Sequence, residues 1–151
     1  MRIKSSKRGE RGAALVEFSI GALVFITAVF AVIEFGRLLW THNALTDAAR
    51  RGARYAVNHG TTADDIKNVE RMVVYGTTED GASPLVADLK HANVKVEHSA
   101  GFNVGEGTAR VSIQNYDFNF VVPLIGKKVR MPAYTTALTG ENAGQVPVAL
   151  P

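Results

Sequence analysis

Apolar residues fill one continuous stretch near the amino terminus, and no charge interrupts it between Glu17 and Glu34. The uncharged run 18–33 has 16 residues, which make about 24 Å of helix. Extending the run back to Ala13 gives 21 residues, enough to cross a hydrocarbon core of about 30 Å. The pattern therefore predicts a transmembrane helix over residues 13–33, with a lipid bilayer around it.

One acidic residue, Glu17, lies inside this predicted span. A carboxylate within the hydrocarbon region costs about 2.5 to 3.5 kcal/mol even on the insertion scales that give low values. We therefore expect Glu17 to have a partner that offsets this cost.

After the predicted span, apolar residues recur only at every third or fourth position and so form one stripe, which is typical of a helix with one buried face. The stripe consists of Leu38, Leu45, Ala49, Gly52 and Ala56. Asn58, His59 and Gly60 follow, and glycine adopts the left-handed conformation that closes many helices at little cost. The pattern predicts a spine helix over residues 13–59, whose first half is the span.

A second, shorter helix is predicted after Gly60. Either Thr61 or Thr62 can cap it with its side chain, and the aspartate three residues later can accept a hydrogen bond from the amide of that threonine. Its buried face would be formed by Ile66, Val69 and Val73. The polar loop 76–83 follows, and Ser83 with Pro84 predicts one or two further helical turns through Leu89.

The period then changes from helical to alternating, which predicts strands over residues 94–98 and 109–113. After Asn115 the apolar parity changes to Tyr116, Phe118 and Phe120. A one-residue shift reverses every side chain of a strand, so a bulge or turn is expected there. Residues 123–126 interrupt the run, and a last strand is predicted to begin with Val129, Met131 and Ala133.

These elements predict an α+β fold in which a long amino-terminal helix packs on a small antiparallel sheet of three or four strands. Residues 60–139 would form one small α+β domain outside the cytoplasm. Residues 140–151 have no core-forming pattern and are expected to be a flexible tail.

The charges are concentrated at the amino terminus. Residues 1–12 carry a net charge of +4 and the whole chain +3, so the remainder carries −1. Under the positive-inside rule the basic leader stays in the cytoplasm and the domain lies on the periplasmic or extracellular side of the inner membrane. A near-neutral body argues against nucleic-acid binding, because that requires a basic face. The chain has no cysteine, which excludes disulfides and thiolate chemistry.

Candidate chemistry is sparse, and we predict neither a cofactor, a metal site nor enzymatic activity. Gly101, Gly105 and Gly107 precede a strand and not a helix, so they indicate a hairpin connection in preference to a phosphate loop. The four histidines have no metal-ligand spacing.

Three further features have structural interpretations. The adjacent Asp64 and Asp65 suit helix capping better than paired-carboxylate catalysis. Trp40 and Tyr55 are interpreted as an interfacial anchor and a packing aromatic. The arginines at 50, 51 and 54 are more simply a solvated helix face than a site for an acidic subunit or lipid phosphate.

The junction between the leader and the apolar run carries a motif. Gly12 closes the leader, Glu17 is the fifth residue after it and Phe18 the sixth, an arrangement that resembles a type IV prepilin cleavage site. The run that continues through Glu34, Phe35, Gly36 and Arg37, and then through AARRGARYA at 48–56, resembles the TadE-like family of the tight-adherence pilus system. Leu23 stands near the place where that family often has a proline, so the kink is expected to be absent.

The resemblance implies a pilin-like minor subunit, or pseudopilin, of the tight-adherence Flp type IV pilus. It implies cleavage by a prepilin peptidase between Gly12 and Ala13, and roles in assembly for Glu17 and Phe18 through contacts with other pilin or pseudopilin subunits and the inner-membrane assembly platform. Surface adhesion and biofilm formation would be the processes served. Residues 1–12 would then be a prepilin leader.

Two other classes of protein fit the same apolar run. One is a single-pass, membrane-anchored periplasmic binding module whose amino terminus is not cleaved. The other is a secreted domain whose apolar run is a signal peptide. The mature amino terminus separates the three, because it would be Ala13, Met1 or a residue beyond the run, respectively.

Overall fold

The computed structural model describes residues 7–81, 83–103, 107–121 and 128–140, with side chains from Gly12 onward. The fold is α+β, as predicted: a long amino-terminal helix packs on a small antiparallel sheet, and a second helix lies beside both. Helix α1 comprises Lys7–Val57 and helix α2 Ala63–Val74. Of the tail predicted over residues 140–151, all but Gly140 lies outside the described residues.

Helix α1 is continuous over 51 residues, which correspond to about 75 Å. It begins six residues before Ala13, inside the segment predicted to be the leader, and ends two residues before His59. The predicted left-handed closure at Gly60 was wrong, since Gly60 is not among the glycines with positive φ. Instead, the side chains of Asn58 and His59 contact the carbonyl oxygens of Arg54 and Tyr55 at 2.9 and 2.8 Å.

Helix α2 begins as predicted. The Thr62 hydroxyl accepts from the Asp65 amide at 3.2 Å, and the Asp65 carboxylate accepts from the Thr62 amide at 3.2 Å. The hydrogen bond from the Thr62 side chain is the main cause of a lowered pKa for the Asp65 carboxyl group. Val69 and Val73 are fully buried, as the periodicity of the sequence indicated.

The helical turns predicted from Ser83 to Leu89 do not form. The Leu85 amide donates to the carbonyl oxygen of Val74, which holds this segment against the end of α2. Asp88 has a φ of 63°, and a left-handed residue ends any right-handed turn that begins before it. A short 3₁₀ helix, His91–Asn93, follows instead.

Five strands are described, and they form two sheets instead of one. The larger sheet has the order β1–β2–β5, from Val94–His98, Thr108–Ile113 and Tyr134–Thr139, and both pairings are antiparallel. The smaller sheet pairs β3, Asp117–Asn119, with β4, Lys128–Arg130.

The single last strand predicted from Val129 is therefore two strands. Its first residues pair with β3, and the chain then crosses to the open edge of β2 as β5. Pro132 lies between them and has no amide hydrogen to continue a ladder.

The predicted change of parity is confirmed at Asn115, which has a φ of 55°. The Asn93 side-chain amide donates to the carbonyl oxygens of Gln114 and Asn115, at 3.1 and 3.0 Å, and so fixes the turn. This turn lets one alternating run supply β2 to the larger sheet and β3 to the smaller one, with Ile113 and Phe118 both buried.

The core lies between α1, α2 and the larger sheet, and the predicted helical stripe forms one side of it. Leu45, Ala49, Gly52 and Ala56 are buried, and Leu38 is partly buried. Gly52 allows the closest approach: a β-carbon there would lie 2.3 Å from Val73 Cγ2 and 3.3 Å from Val111 Cγ1. A larger residue at 52 would separate α1 from both of its neighbours.

Candidate functional site

The apolar segment 12–33 projects from the domain without covering any of it. Its large side chains are exposed on every side of the helix, including Phe18 at 74%, Leu23 at 66% and Val32 at 72%. Among the residues that the structure describes, one helix is thus long and apolar enough to cross a membrane, and its apolar window is not buried in the protein. This is the architecture of a protein with a single candidate membrane anchor at the amino-terminal end.

The polar hydroxyls inside this segment are satisfied within the helix. Ser19 Oγ donates to the Leu15 carbonyl oxygen at 2.7 Å, and Thr27 Oγ1 donates to that of Leu23 at 2.8 Å. Hydroxyls bound in this way do not oppose burial in lipid.

The predicted cleavage position, Gly12 and Ala13, lies within continuous helix. Nothing outside the helix backbone and the neighbouring residues lies within 4 Å of a β-carbon built at Gly12, so no part of the described structure covers it. The same is true of Gly21 and Gly36. A glycine at 12 is therefore not required by packing within this chain.

The two residues predicted to act in assembly, Glu17 and Phe18, are exposed on the first turns after Gly12. Glu17 is four residues after Ala13 and therefore on the same face of α1. Among the side chains that the structure describes, none forms an ion pair with Glu17. The four predicted site residues thus lie together on about two turns of one helix, away from the domain.

A partly buried ion pair marks the point where α1 meets the domain, and sequence reasoning did not predict its role. Glu34 is 4% exposed, and its Oε1 accepts from Arg37 Nη1 at 2.9 Å. Arg37 also donates through Nη2 to the carbonyl oxygen of Asn119, and its guanidinium lies 4.8 Å from the centre of the Phe118 ring. The sequence signal was present as a Glu and an Arg three residues apart directly after the apolar run.

A second polar contact between α1 and the domain lies between one and two helical turns after Arg37. His42 Nδ1 lies 2.9 Å from the Tyr134 hydroxyl, and the two rings meet edge to face. Burial raises the pKa of the Tyr134 hydroxyl, so it stays protonated and can donate to the imidazole. Thr41 beside it is 5% exposed. The first residues of the upper helix are therefore held by polar contacts as well as by packing.

The remaining candidate residues do not converge on a site. Gly101 and Gly107 have φ values of 76° and 78° in the β1–β2 connection, as a hairpin requires, and Gly105 lies outside the described residues. Tyr55 packs against the core and stacks on His59 with ring centres 3.7 Å apart. Arg50 and Arg54 are exposed, whereas Arg51 is half-buried. In the part of the chain that the structure describes, no three His, Asp or Glu residues are grouped as metal ligands.

Comparison with known families agrees with the motif. The sequence profile of the TadE-like protein family matches residues 12–54, and the predicted resemblance is confirmed over this range. The match begins at Gly12 and covers the apolar segment, the Glu34–Arg37 pair and the arginine group. The family is structural and associated with the Tad pilus, which indicates a pilus-associated protein. Searches of curated proteins and of solved structures found no match.

Proposed function

We propose that this chain is a pilin-like minor subunit, or pseudopilin, of a tight-adherence type IV pilus. The observation that carries the proposal is the apolar segment 12–33, which starts at Gly12, is exposed on all sides and contains a single carboxylate at Glu17. A helix that is apolar on all sides can lie in the lipid bilayer before assembly and can pack in a bundle of similar helices after assembly. The family match over residues 12–54 supports the same function.

The proposed sequence of events has three steps. The precursor inserts with residues 1–12 in the cytoplasm and the domain outside. A prepilin peptidase then cuts between Gly12 and Ala13, and the processed chain joins other pilin or pseudopilin subunits at an inner-membrane platform. Adhesion to surfaces and biofilm formation are the processes that the pilus would serve.

Cleavage gives Glu17 its proposed partner. The cut creates an α-ammonium at Ala13, and in a staggered bundle the Glu17 carboxylate of a neighbouring subunit can come level with it. The alternative is a contact within one subunit, because the same two groups are four residues apart on one helix. Pairing of the two charges offsets the cost that each one has in an apolar environment. Phe18 is proposed to pack against the neighbouring helix next to this pair.

The first test is proteolytic. Intact mass of the membrane-extracted protein, from a host with an active pilus peptidase, is expected to show loss of residues 1–12. Gly12→Val is expected to leave most of the protein as full-length precursor, because a peptidase that approaches the backbone at Gly12 tolerates no side chain there.

Gly21→Val is the matched control. Both glycines lie in α1 with nothing within 4 Å of an added β-carbon, so neither change disturbs packing within the chain. The control is expected to be cleaved like the wild type. A wild-type protein that keeps residues 1–12 would refute the pilin function and favour the alternative, an uncleaved membrane-anchored binding module.

The second test concerns Glu17. Glu17→Ala is expected to insert and to be cleaved, since removing a carboxylate from the span makes insertion easier. Its crosslinking to other pilin subunits in the membrane is expected to fall sharply. Ser19→Ala is the control, because that hydroxyl is bound to its own helix and its removal changes no charge. Unchanged crosslinking and pilus assembly in Glu17→Ala would show that the carboxylate has no assembly role.

A further inference from the structure

One end of the domain faces the apolar segment, and three contacts along α1 identify it. Val73 and Val111 approach Gly52 in the upper part of the helix, and Tyr134 contacts His42. Asn119 contacts Arg37, the lowest of the three positions. Strands β2 and β3 therefore run downward in turn, so that Asn119, and with it Val121 two residues later, lies at the end of the domain nearest the apolar segment.

The connection between β1 and β2 lies at the opposite end. Strand β1 is antiparallel to β2 and ends at His98, the register partner of Ala109 at the upper end of β2. The start of α2 follows the upper end of α1 after a short loop. Ala100, in the β1–β2 connection, is exposed and serves as a reference point for the far end.

The near end carries exposed apolar side chains. Outside α1, three large apolar residues are exposed in the described part of the chain: Leu85 at 50%, Val121 at 74% and Val129 at 44%. Val121 follows β3 by two residues, and Val129 is the register partner of Phe118.

Two hydrogen bonds tie the loop around Leu85 to the β3–β4 hairpin. The Tyr116 hydroxyl donates to the Ala87 carbonyl oxygen at 2.8 Å, and the Asn119 side chain donates to Asp88 at 2.9 Å. Leu85 also lines an open groove of about 710 Å³ with Trp40, whose side chain is 58% exposed.

The height of this end above the apolar segment matches the depth of the lipid headgroups. Arg37 is four residues after Ile33, which is about 6 Å along the helix axis. Trp40 is seven residues after Ile33, which is about 10 Å. The headgroup region on each side of a bilayer is about 5 to 8 Å thick. Helical side chains lean toward the amino terminus, which brings the Trp40 ring closer to the bilayer than its backbone.

We propose that this end of the domain rests in the headgroup region of the bilayer that the apolar segment crosses. The membrane-proximal face comprises Trp40, Leu85, Val121 and Val129, together with the exposed Lys128, which pairs in register with Asn119. The apolar residues and the indole suit the boundary between headgroups and acyl chains, and the lysine ammonium suits lipid phosphate. The proposal rests on the membrane anchoring that the proposed function also requires.

The absence of cysteine from the sequence makes the test direct. A single nitroxide label is placed on the full-length chain at Val121→Cys, Ala100→Cys or Phe25→Cys, with one copy per nanodisc of phosphatidylcholine and phosphatidylglycerol. Molecular oxygen, which concentrates in lipid, and a water-soluble nickel complex report the depth of each label. Val121 is 74% exposed, so the label does not disturb the core.

The expected result is that the label at Val121 is more accessible to oxygen than to nickel, and that the label at Ala100 shows the opposite ratio. A label at Val121 that behaves like the one at Ala100, while Phe25 is in lipid, overturns this inference and leaves the proposed function intact. A label at Phe25 that behaves like the one at Ala100 overturns both, because the segment is then no membrane anchor.

A charge on the membrane-proximal face sharpens the test. Leu85→Asp is expected to move the label at Val121 toward the nickel-accessible state. A carboxylate at the boundary between headgroups and acyl chains is unfavourable, so this end of the domain would move away from the bilayer. Ala100→Asp, at the far end, is the control and is expected to leave the label unchanged. Protection of Val121 from both reagents would indicate contact with protein, and would overturn the proposal.

Discussion

The two halves of α1 have the same secondary structure but different surroundings. The lower half, residues 12–33, has no buried side chain and is apolar on every face. The upper half, 34–57, buries one stripe and exposes charged residues such as Arg50 and Arg54 elsewhere. The comparison shows one continuous helix with two kinds of surface. Below Glu34 the surface is exposed and apolar, as the candidate membrane anchor requires, and above Glu34 one face packs on the domain while the other is polar.

The stabilising interactions differ accordingly. In the lower half, hydroxyls are satisfied by the helix itself, and no residue of the domain is needed. In the upper half, stability depends on close packing at Gly52 and on polar contacts at Glu34 and His42. Substitutions of the same kind in the two halves should therefore have very different effects.

The largest difference is expected between two glycines. Gly52→Val places a branched side chain where a β-carbon alone would lie 2.3 Å from Val73 Cγ2, so α1 and α2 must separate. We expect a loss of about 3 kcal/mol in the free energy of unfolding, at the upper end of the usual cost of overpacking. Urea unfolding of the full chain in detergent, followed by the fluorescence of the single tryptophan, measures it.

Gly21→Val is the corresponding change in the lower half, where nothing lies within 4 Å. It is expected to leave the urea midpoint of the domain unchanged. Equal losses for the two variants would mean that the halves are not distinct in their packing.

A smaller effect is expected at the boundary between the halves. Arg37→Ala removes the ion pair to Glu34, the hydrogen bond to Asn119 and the contact with Phe118. Glu34 would remain buried without its partner, which is costly, although the partial exposure of Arg37 reduces the effect. We expect a loss of about 2 kcal/mol in the free energy of unfolding, given these opposing factors.

Arg50→Ala provides the comparison for this pair. Arg50 and Asp47 are also three residues apart, but their charged atoms are 3.7 Å apart and their side chains are 61% and 63% exposed. Exposed pairs contribute about 0 to 1 kcal/mol, so the change in unfolding free energy should be within about 0.5 kcal/mol. If Arg37→Ala were as mild, Glu34 would not be a structural carboxylate of the junction.

Periodicity predicted the helices and the first two strands because their partners are close in sequence or lie on one face. The stripe from Leu45 to Ala56 is buried as expected, and the box formed by Thr62 and Asp65 caps α2. The turn at Asn115 followed from the change of parity alone, because a strand cannot reverse its faces without one.

The errors lie where distant contacts decide the conformation. The segment after Ser83 had the local pattern of a helix start, but the hydrogen bond from Leu85 to Val74 and the left-handed Asp88 hold it in turns. The last run divides into β4 and β5 because one part pairs with β3 and the other with β2. The alternation of apolar residues does not show which strand has an edge available for pairing. The site residues from Gly12 to Phe18 were predicted from their motif and stay a prediction. The structural role of Glu34 could not be predicted, because it depends on the contacts that its partner Arg37 makes with Asn119 and Phe118.

The apolar character of the lower half on every face has one more consequence. Apart from Glu17, the segment has no side that would favour one rotation about its own axis in a bilayer, and its length alone fixes no tilt. Both angles are then imposed from above, because Arg37 and His42 join the helix to the domain through Asn119 and Tyr134. The direction in which Glu17 points around the axis is thereby set by residues about 30 to 38 Å higher on the same helix, measured at about 1.5 Å per residue.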